Sequence, residues 1–416
     1  MLVEFRVKNF RSIMDEQVFS MVASTDKDLP QNTTKKKKFN LLKSASIYGA
    51  NASGKSNLLQ AINFMKFFIK ASVAHFQEGE AIPVEPFLLN SSTGDSPSLF
   101  EMTFFVEETR YRYGFEISKD KIINEWLFYV PAVQEKELFW RNGNEIKTHS
   151  DINKEAKGLK EKTRNNALFL SVLSQFNSQI AKDVMKFFNN LVVISGDISF
   201  FAKQLSDLIK DKAIHNAVKA IIKGTDLQIK DFRCEEEELN LDEAPDELKQ
   251  IVGLMKEKPK RYEFYTRHQK LNKDGENIGE VELMLNTHES EGTKQVFWLV
   301  GPLIDVLSKG GTLVVDELDN SLHPLILEMI VGLFNSEKNT KAQLIFSTHN
   351  TRMLTNKYFR RDQIWFAEKN RFYATELSSL YDFSVRKDAS YDKDYLSGKY
   401  GAIPYLQDIT ESFYGK

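Results

Sequence analysis

The sequence predicts an α/β fold: a parallel sheet whose strands deliver phosphate-handling residues at one edge. Three segments carry that expectation. Gly49-Ala50-Asn51-Ala52-Ser53-Gly54-Lys55-Ser56 fits G-x-x-x-x-G-K-[ST] at every fixed position, with an apolar strand before it and a helix after it. Thr312-Leu313-Val314-Val315 is an apolar run that ends in Asp316-Glu317. Leu344-Ile345-Phe346-Ser347-Thr348-His349 is another, ending in a histidine. In a parallel sheet such strand ends meet at the carboxyl edge, where ligands bind.

The remaining elements follow in order. Residues 2–8 alternate apolar and polar, the pattern of a half-buried strand. The polar stretch 24–40, with Lys35, Lys36, Lys37 and Lys38, reads as a solvated loop. From Ser56 apolar residues recur at helical spacing. Three aromatic-rich runs over 99–130, parted by short polar turns, predict an antiparallel meander. Residues 151–225 lack proline and mix charge with apolar residues at helical period, which predicts a helical insertion. An acidic stretch at 235–247 reads as a linker, and strands resume at 261–285 around a turn at Lys273-Asp274-Gly275. The expected division is therefore 1–150, a lobe with the phosphate loop and meander; 151–235, the helical insertion; and 236–416, a second lobe.

Composition sets the outer limits. The 416 residues are 42% hydrophobic and 27% charged, which excludes wholesale disorder. Net charge is −2, so any nucleic-acid contact needs a local patch. The single cysteine, Cys234, excludes an internal disulfide or a cysteine zinc site and fits a reducing cytosol. No apolar run approaches the length that spans a bilayer, and a cytoplasmic, soluble protein is expected.

The chemistry follows from residue types. Glycines let the loop curl so that its N–H groups face phosphate oxygens, and the following helix adds its positive end. Lys55 then neutralises β/γ-phosphate charge and the Ser56 hydroxyl binds Mg²⁺. Asp316 helps hold Mg²⁺, and Glu317 accepts a proton from the attacking water, as in a Walker B. His349 contacts the γ-phosphate and orients water.

With Glu289-Ser290-Glu291-Gly292-Thr293-Lys294, this set resembles the ABC-type ATPases of the RecF, SMC and Rad50 kind, and most of all the OLD-type and RloA-like ATPases of phage-defence and abortive-infection systems. The resemblance rests on VKNFRS (7–12), GANASGKSN (49–57), ESEGTK (289–294), VVDELDNSLHP (315–324), FSTHN (346–350), RRDQIWF (360–366) and YLSGKYGAIP (395–404). It implies an ABC-type P-loop ATPase head with a helical insertion, ATP and Mg²⁺ as cofactors, and a homodimer or higher homo-oligomer that sandwiches two nucleotides. Asn57 joins the ATP-binding set by the same resemblance, and Arg11 matches a nucleotide-facing arginine. Ser290 and Gly292 match the signature that reaches the partner's γ-phosphate, with Glu291 as a departure whose side chain should point away. Asp319 matches the D-loop position. Gln77 is the first glutamine after the loop that could serve as a Q-loop residue.

The resemblance further implies a sensor or regulator of a separate effector protein, a nuclease or toxin, in anti-phage defence. A RecF-type repair ATPase acting on DNA and an ATP-binding scaffold with little turnover are the alternatives. Asn272-Lys273-Asp274 is one residue short of a guanine-reading motif and reads as a hairpin turn. Asp392-Lys393-Asp394 has the D-x-D form of a TOPRIM nuclease, but too little chain follows His349 for that domain. The basic, aromatic stretch 256–273 reads as a strand with one wet face, DNA contact being the alternative.

Overall fold

The computed structural model describes residues 1–196, 198–238, 260–386 and 389–404, and they form two compact units. The first unit holds Met1–Ser195, Lys309–Asp319 and Leu327–Lys416, and the second Gly196–Ser308 and Asn320–Ile326.

In the first unit β1 (Leu2–Lys8) and β2 (Gln17–Ser20) precede a hairpin, β3 (Thr33–Lys36) and β4 (Phe39–Leu42). Of the lysine run expected to be loop, Lys35 and Lys36 are therefore paired and Lys37 and Lys38 form the turn. Thr33 and Leu42 face each other across the hairpin, and Lys37 supplies the positive φ of its tight turn. β5 (Ser44–Tyr48) leads through the glycine loop to α1 (Lys55–Ala74). β6 (Ser98–Val106), β7 (Thr109–Ile117), β8 (Ile122–Val130), β9 (Lys136–Asn142) and β10 (Glu145–Thr148) continue as the expected meander, two strands longer than expected. With β1 and β2 they form an antiparallel sheet in the order β10-β9-β8-β7-β6-β1-β2.

α2 (Ser150–Ala156), α3 (Phe169–Gln175) and α4 (Gln179–Asn189) pack on that sheet, with the Phe187 ring stacked on Phe104 at 4.1 Å between centroids. Glu125 and Arg141 are fully buried beneath them. The Glu125 carboxylate accepts the Tyr113 hydroxyl (2.9 Å) and the backbone N–H groups of Phe169 (2.7 Å) and Leu170 (3.0 Å), so it caps α3 from a strand of the sheet. Burial raises its pKa against the pull of Arg141.

The stretch 151–235 is not one helical insertion. Residues to Ser195 belong to the first unit, and β11 (Leu191–Ile194) joins its parallel sheet. Four apolar residues, LVVI, fit a buried strand as well as a helix turn, so periodicity alone could not separate them.

The second unit contains α5 (Ala202–Ile209), α6 (Lys212–Gly224) and an antiparallel sheet of β12 (Asp231–Glu238), β13 (Lys260–Leu271) and β14 (Asn277–Met284). Its core is aromatic: Phe232, Phe264, Phe297 and Trp298 meet edge to face. The expected turn at Lys273–Gly275 is present, its backbone bonded by the Asn272 side chain. Glu235–Glu238 lie in β12 and not in a linker, and the rest of the acidic stretch, like Lys256 and Lys258, lies outside the described residues. α7 (Leu285–His288) and α8 (Glu291–Lys309) follow.

The chain then supplies β15 (Gly311–Val315), α9 (Pro324–Asn335), β16 (Ala342–Ser347), β17 (Ile364–Lys369), β18 (Thr375–Ser379) and α10 (Tyr391–Leu396). Five strands of the resulting sheet, β11-β15-β16-β5-β17, run parallel, and β18 closes one edge antiparallel. β5, β15 and β16 are buried almost throughout because both faces are covered, and their polar members Ser44, Ser46, Thr312, Gln343 and Ser347 are buried with them. Among the described residues no helix is long and apolar enough to cross a membrane.

Candidate functional site

The parallel register fixes which residues can meet. β16 lies between β5 and β15, so the loops that leave all three strands emerge side by side at one edge. The glycine loop leaves β5, Asp316-Glu317 leaves β15, and Thr348-His349 leaves β16.

The loop 49–56 curls over its own lysine. Lys55, the first residue of α1, donates to the carbonyls of Gly49 (2.8 Å) and Ala50 (3.1 Å). Burial lowers its pKa, while Asp316, Glu317 and Asp319 pull it back up. Gly54 precedes the helix at φ +105, and a Cβ there would lie 2.0 Å from Thr375 Oγ1, so the turn needs glycine twice over. The Ser53 hydroxyl is buried without a partner among the described residues, a donor that a phosphate oxygen would satisfy.

A chain of side chains, of which the sequence singled out only Asn57, supports this loop. Asn57 Nδ2 donates to Ser12 Oγ (2.7 Å), Ser12 Oγ lies 2.8 Å from Thr375 Oγ1, and Thr375 Oγ1 donates to the Ser53 carbonyl (2.9 Å). Arg11 does not take part. Its guanidinium is paired with Glu85 at 3.0 Å, and its neighbour Ser12 makes the link to α1 instead.

On the other flank Asp316 is half-buried and Glu317 exposed. Ser347 Oγ donates to Asp316 Oδ1 and accepts the Glu317 N–H. Glu317 holds φ +52, a left-handed backbone unusual for a non-glycine residue and typical of functional sites. Asp319 Oδ2 accepts the backbone N–H of His349 (3.1 Å), while its Oδ1 is buried without a partner among the described residues. The His349 residue is exposed at the edge.

Oxygen donors at Ser56 and Asp316 suit a hard cation such as Mg²⁺. Among the described residues no cluster of three or more His, Cys, Asp or Glu could hold a metal alone. A cation at this edge would therefore complete its shell with phosphate and water, the habit of Mg²⁺.

Ser290 and Gly292 lie in the second unit. Ser290 Oγ accepts the Thr293 N–H (3.2 Å) and lies 2.9 Å from Thr293 Oγ1, closing the first turn of α8. A Cβ on Gly292 would meet the Ser321 carbonyl at 2.9 Å. Glu291 points to solvent, 80% exposed and paired with Lys294. Glu289, just before, is bound by His268 (2.7 Å) and Thr266 of β13, which ties the segment to the sheet.

Gln77 is beyond the far end of α1. Twenty residues at 1.5 Å each put it ~30 Å from the loop, too far for a nucleotide contact. Asp394 is held by Lys399 (2.7 Å) and Tyr400 (3.0 Å). On β13 and its neighbours Arg261 pairs with Glu263, Arg267 with Glu282, and Lys260 with Glu236.

Residues 44–354 match the family described as "AAA domain, putative AbiEii toxin, Type IV TA system". No curated protein matches the chain. Among solved structures it is similar to an SMC head bound to the C-terminal winged-helix domain of ScpA (TM-score 0.48, 15% identity, covering 91% of this chain and 97% of that one). It is also similar to the SMC head domain from Thermotoga maritima (0.39, 13%, 91% and 98%). A third is an Smc head with an extended coiled coil bound to the C-terminal domain of ScpA derived from Pyrococcus furiosus (0.40, 13%, 91% and 96%).

Proposed function

Because the chain belongs to the AAA-domain family described as "putative AbiEii toxin, Type IV TA system", we propose that it binds and hydrolyses ATP with Mg²⁺, that two copies close head to tail around the nucleotide, and that this cycle regulates a separate effector, a nuclease, in bacterial anti-phage defence. The observation that carries the ATPase reading is the meeting of Lys55 with Asp316, Glu317 and Asp319 at one edge of one parallel sheet.

In this reading the loop N–H groups and Lys55 hold the phosphates. Ser56 and Asp316 would hold Mg²⁺, which when bound neutralises charge on the transferring phosphoryl group. Ser347 fixes Asp316 and the backbone of Glu317, and Glu317 takes the proton of the attacking water. His349, next to the Asp319 carboxylate, orients that water. Ser290 and Gly292 serve the partner's nucleotide. The outward Glu291 supports that role, because no acid then faces the phosphate.

The family description speaks of a toxin. Here the toxic activity is assigned to a second protein, since Asp394 is engaged by Lys399 and Tyr400, an arrangement that supports a structural use of the D-x-D. The ion-paired β13 supports a reading without a DNA-binding strand.

Lys55→Ala removes the main cation facing the β/γ-phosphates and should abolish tight ATP binding by isothermal titration. Equal affinity in the two proteins would overturn the assignment. Co-expression with its operon neighbours, and the mass of what co-purifies, tests the effector.

A further inference from the structure

The segment YLSGKYGAIP has no part in the phosphate chemistry, yet it is built with care. Tyr395 and Tyr400 both stack on Phe366 of β17, at 5.5 and 5.4 Å between centroids. Tyr395 also meets Tyr48 of β5, and its hydroxyl donates to the Ala402 carbonyl at 3.0 Å. Asp394 grips Lys399 and Tyr400. The Ala402 N–H reaches Glu368 Oε2 (3.1 Å), and a Cβ on Gly401 would lie 2.2 Å from that oxygen. Residues 397–404 are thus a pinned wall and not a loose tail.

That wall faces a cleft of about 550 Å³ whose other sides are Ala50–Ser53 of the P-loop and Glu368 and Lys369 of β17. Lys369 is exposed, donates to Thr375 Oγ1 (3.2 Å), and has no ion-pair partner among the described residues. The volume suits a small-molecule site. Position assigns the occupant. The P-loop strand has β16 on one side and β17 on the other. The residues for hydrolysis lie on the β16 side, so the terminal phosphate belongs there. A nucleotide lying along the loop then carries its sugar and base toward β17, where the cleft opens beside an unpaired cation.

We infer that the cleft between the P-loop and Ser397–Pro404 takes the nucleoside end of ATP. Glu368, with Oε2 committed to Ala402, offers Oε1 to a sugar hydroxyl. The inference rests on the P-loop binding ATP, and the test separates the two.

Calorimetry of the full chain compares ATP with inorganic tripolyphosphate, which has the phosphates and no nucleoside. ATP should bind at least tenfold more tightly. Ser397→Trp, at an exposed position, fills the cleft and should cut ATP affinity tenfold or more while leaving tripolyphosphate binding as it was. Equal affinity of the two ligands for the wild type overturns the cleft alone, whereas binding of neither overturns the P-loop reading as well. Photolabelling of the unaltered chain with 8-azido-ATP needs no variant. Peptide mapping should find the adduct within residues 397–404, and adducts confined elsewhere overturn the inference.

Discussion

The Ser347 hydroxyl lies 2.6 Å from Asp316 Oδ1 and holds it while accepting the N–H of the next residue. One oxygen on β16 thereby sets the direction of a carboxylate that leaves β15.

Ser347→Ala should therefore disturb chemistry more than folding. It leaves Asp316 and the Glu317 N–H without their shared partner, a loss worth about 1–3 kcal/mol. Turnover should fall about tenfold or more, and the Mg²⁺ concentration giving half-maximal turnover should rise. Titrating Mg²⁺ at saturating ATP checks it; an unchanged curve would deny Ser347 any positioning role.

Glu317→Gln keeps the shape of the general base but cannot take the proton. ATP turnover should drop about 10²–10⁴-fold while binding persists. Light scattering behind a sizing column should show an ATP-dependent dimer, and adding Ser290→Arg should disperse it. Wild-type turnover, or a trapped dimer indifferent to Ser290→Arg, refutes the sandwich.

Gly54→Ala places a methyl group against Thr375 at a φ that alanine adopts with strain. Melting temperature and ATP affinity should both fall. Thr375→Ala in the same chain removes the nearest atom that the methyl meets, leaving Ser12 Oγ at 2.8 Å and the φ strain, and should restore part of the stability beyond what Thr375→Ala alone loses with its bond to the Ser53 carbonyl. Calorimetric melting of both single variants and the double variant measures the coupling; losses that simply add would mean that the contact costs little.

Lys66, on α1, has its pKa lowered to about 8 by burial and by Lys70. Unfolded, it titrates near 10.5. The folded state thus prefers the neutral amine, and that advantage is complete above pH 10.5 and lost as pH falls through 8. Below pH 8 the charged form burdens the fold. Lys66→Met should accordingly raise the melting temperature at pH 7 by a few degrees, and the difference should shrink at pH 10. A constant difference at both pH values would separate the effect from the charge.

Most of the nucleotide edge was legible because its residues are local in sequence. Ser46–Ser56 and Thr312–Glu317 each carry strand, turn and candidate chemistry within a dozen residues. Ser12 and Thr375 were not legible, since they meet across more than 300 positions and neither belongs to a spaced motif. Ser347 stood inside a noticed strand, yet only the neighbouring β15 gives its hydroxyl a purpose. β11 was lost in a helical stretch because four apolar residues have no period of their own. The hairpin at Thr33–Leu42 was hidden by lysines that face water on a paired backbone.

The position of β5 between β16 and β17 also bears on synthesis. A ribosome completes the P-loop strand early and its neighbours only roughly 300 residues later. At about 5–20 residues per second, a quarter-minute to a minute separates them. For that interval a strand that is buried at every position has no parallel sheet to enter, while the meander that follows it can already pair with β1. A message cut short before residue 342 yields a chain that carries every residue of the P-loop and cannot assemble the edge that uses it. ATP-dependent behaviour is thereby confined to chains translated past β17.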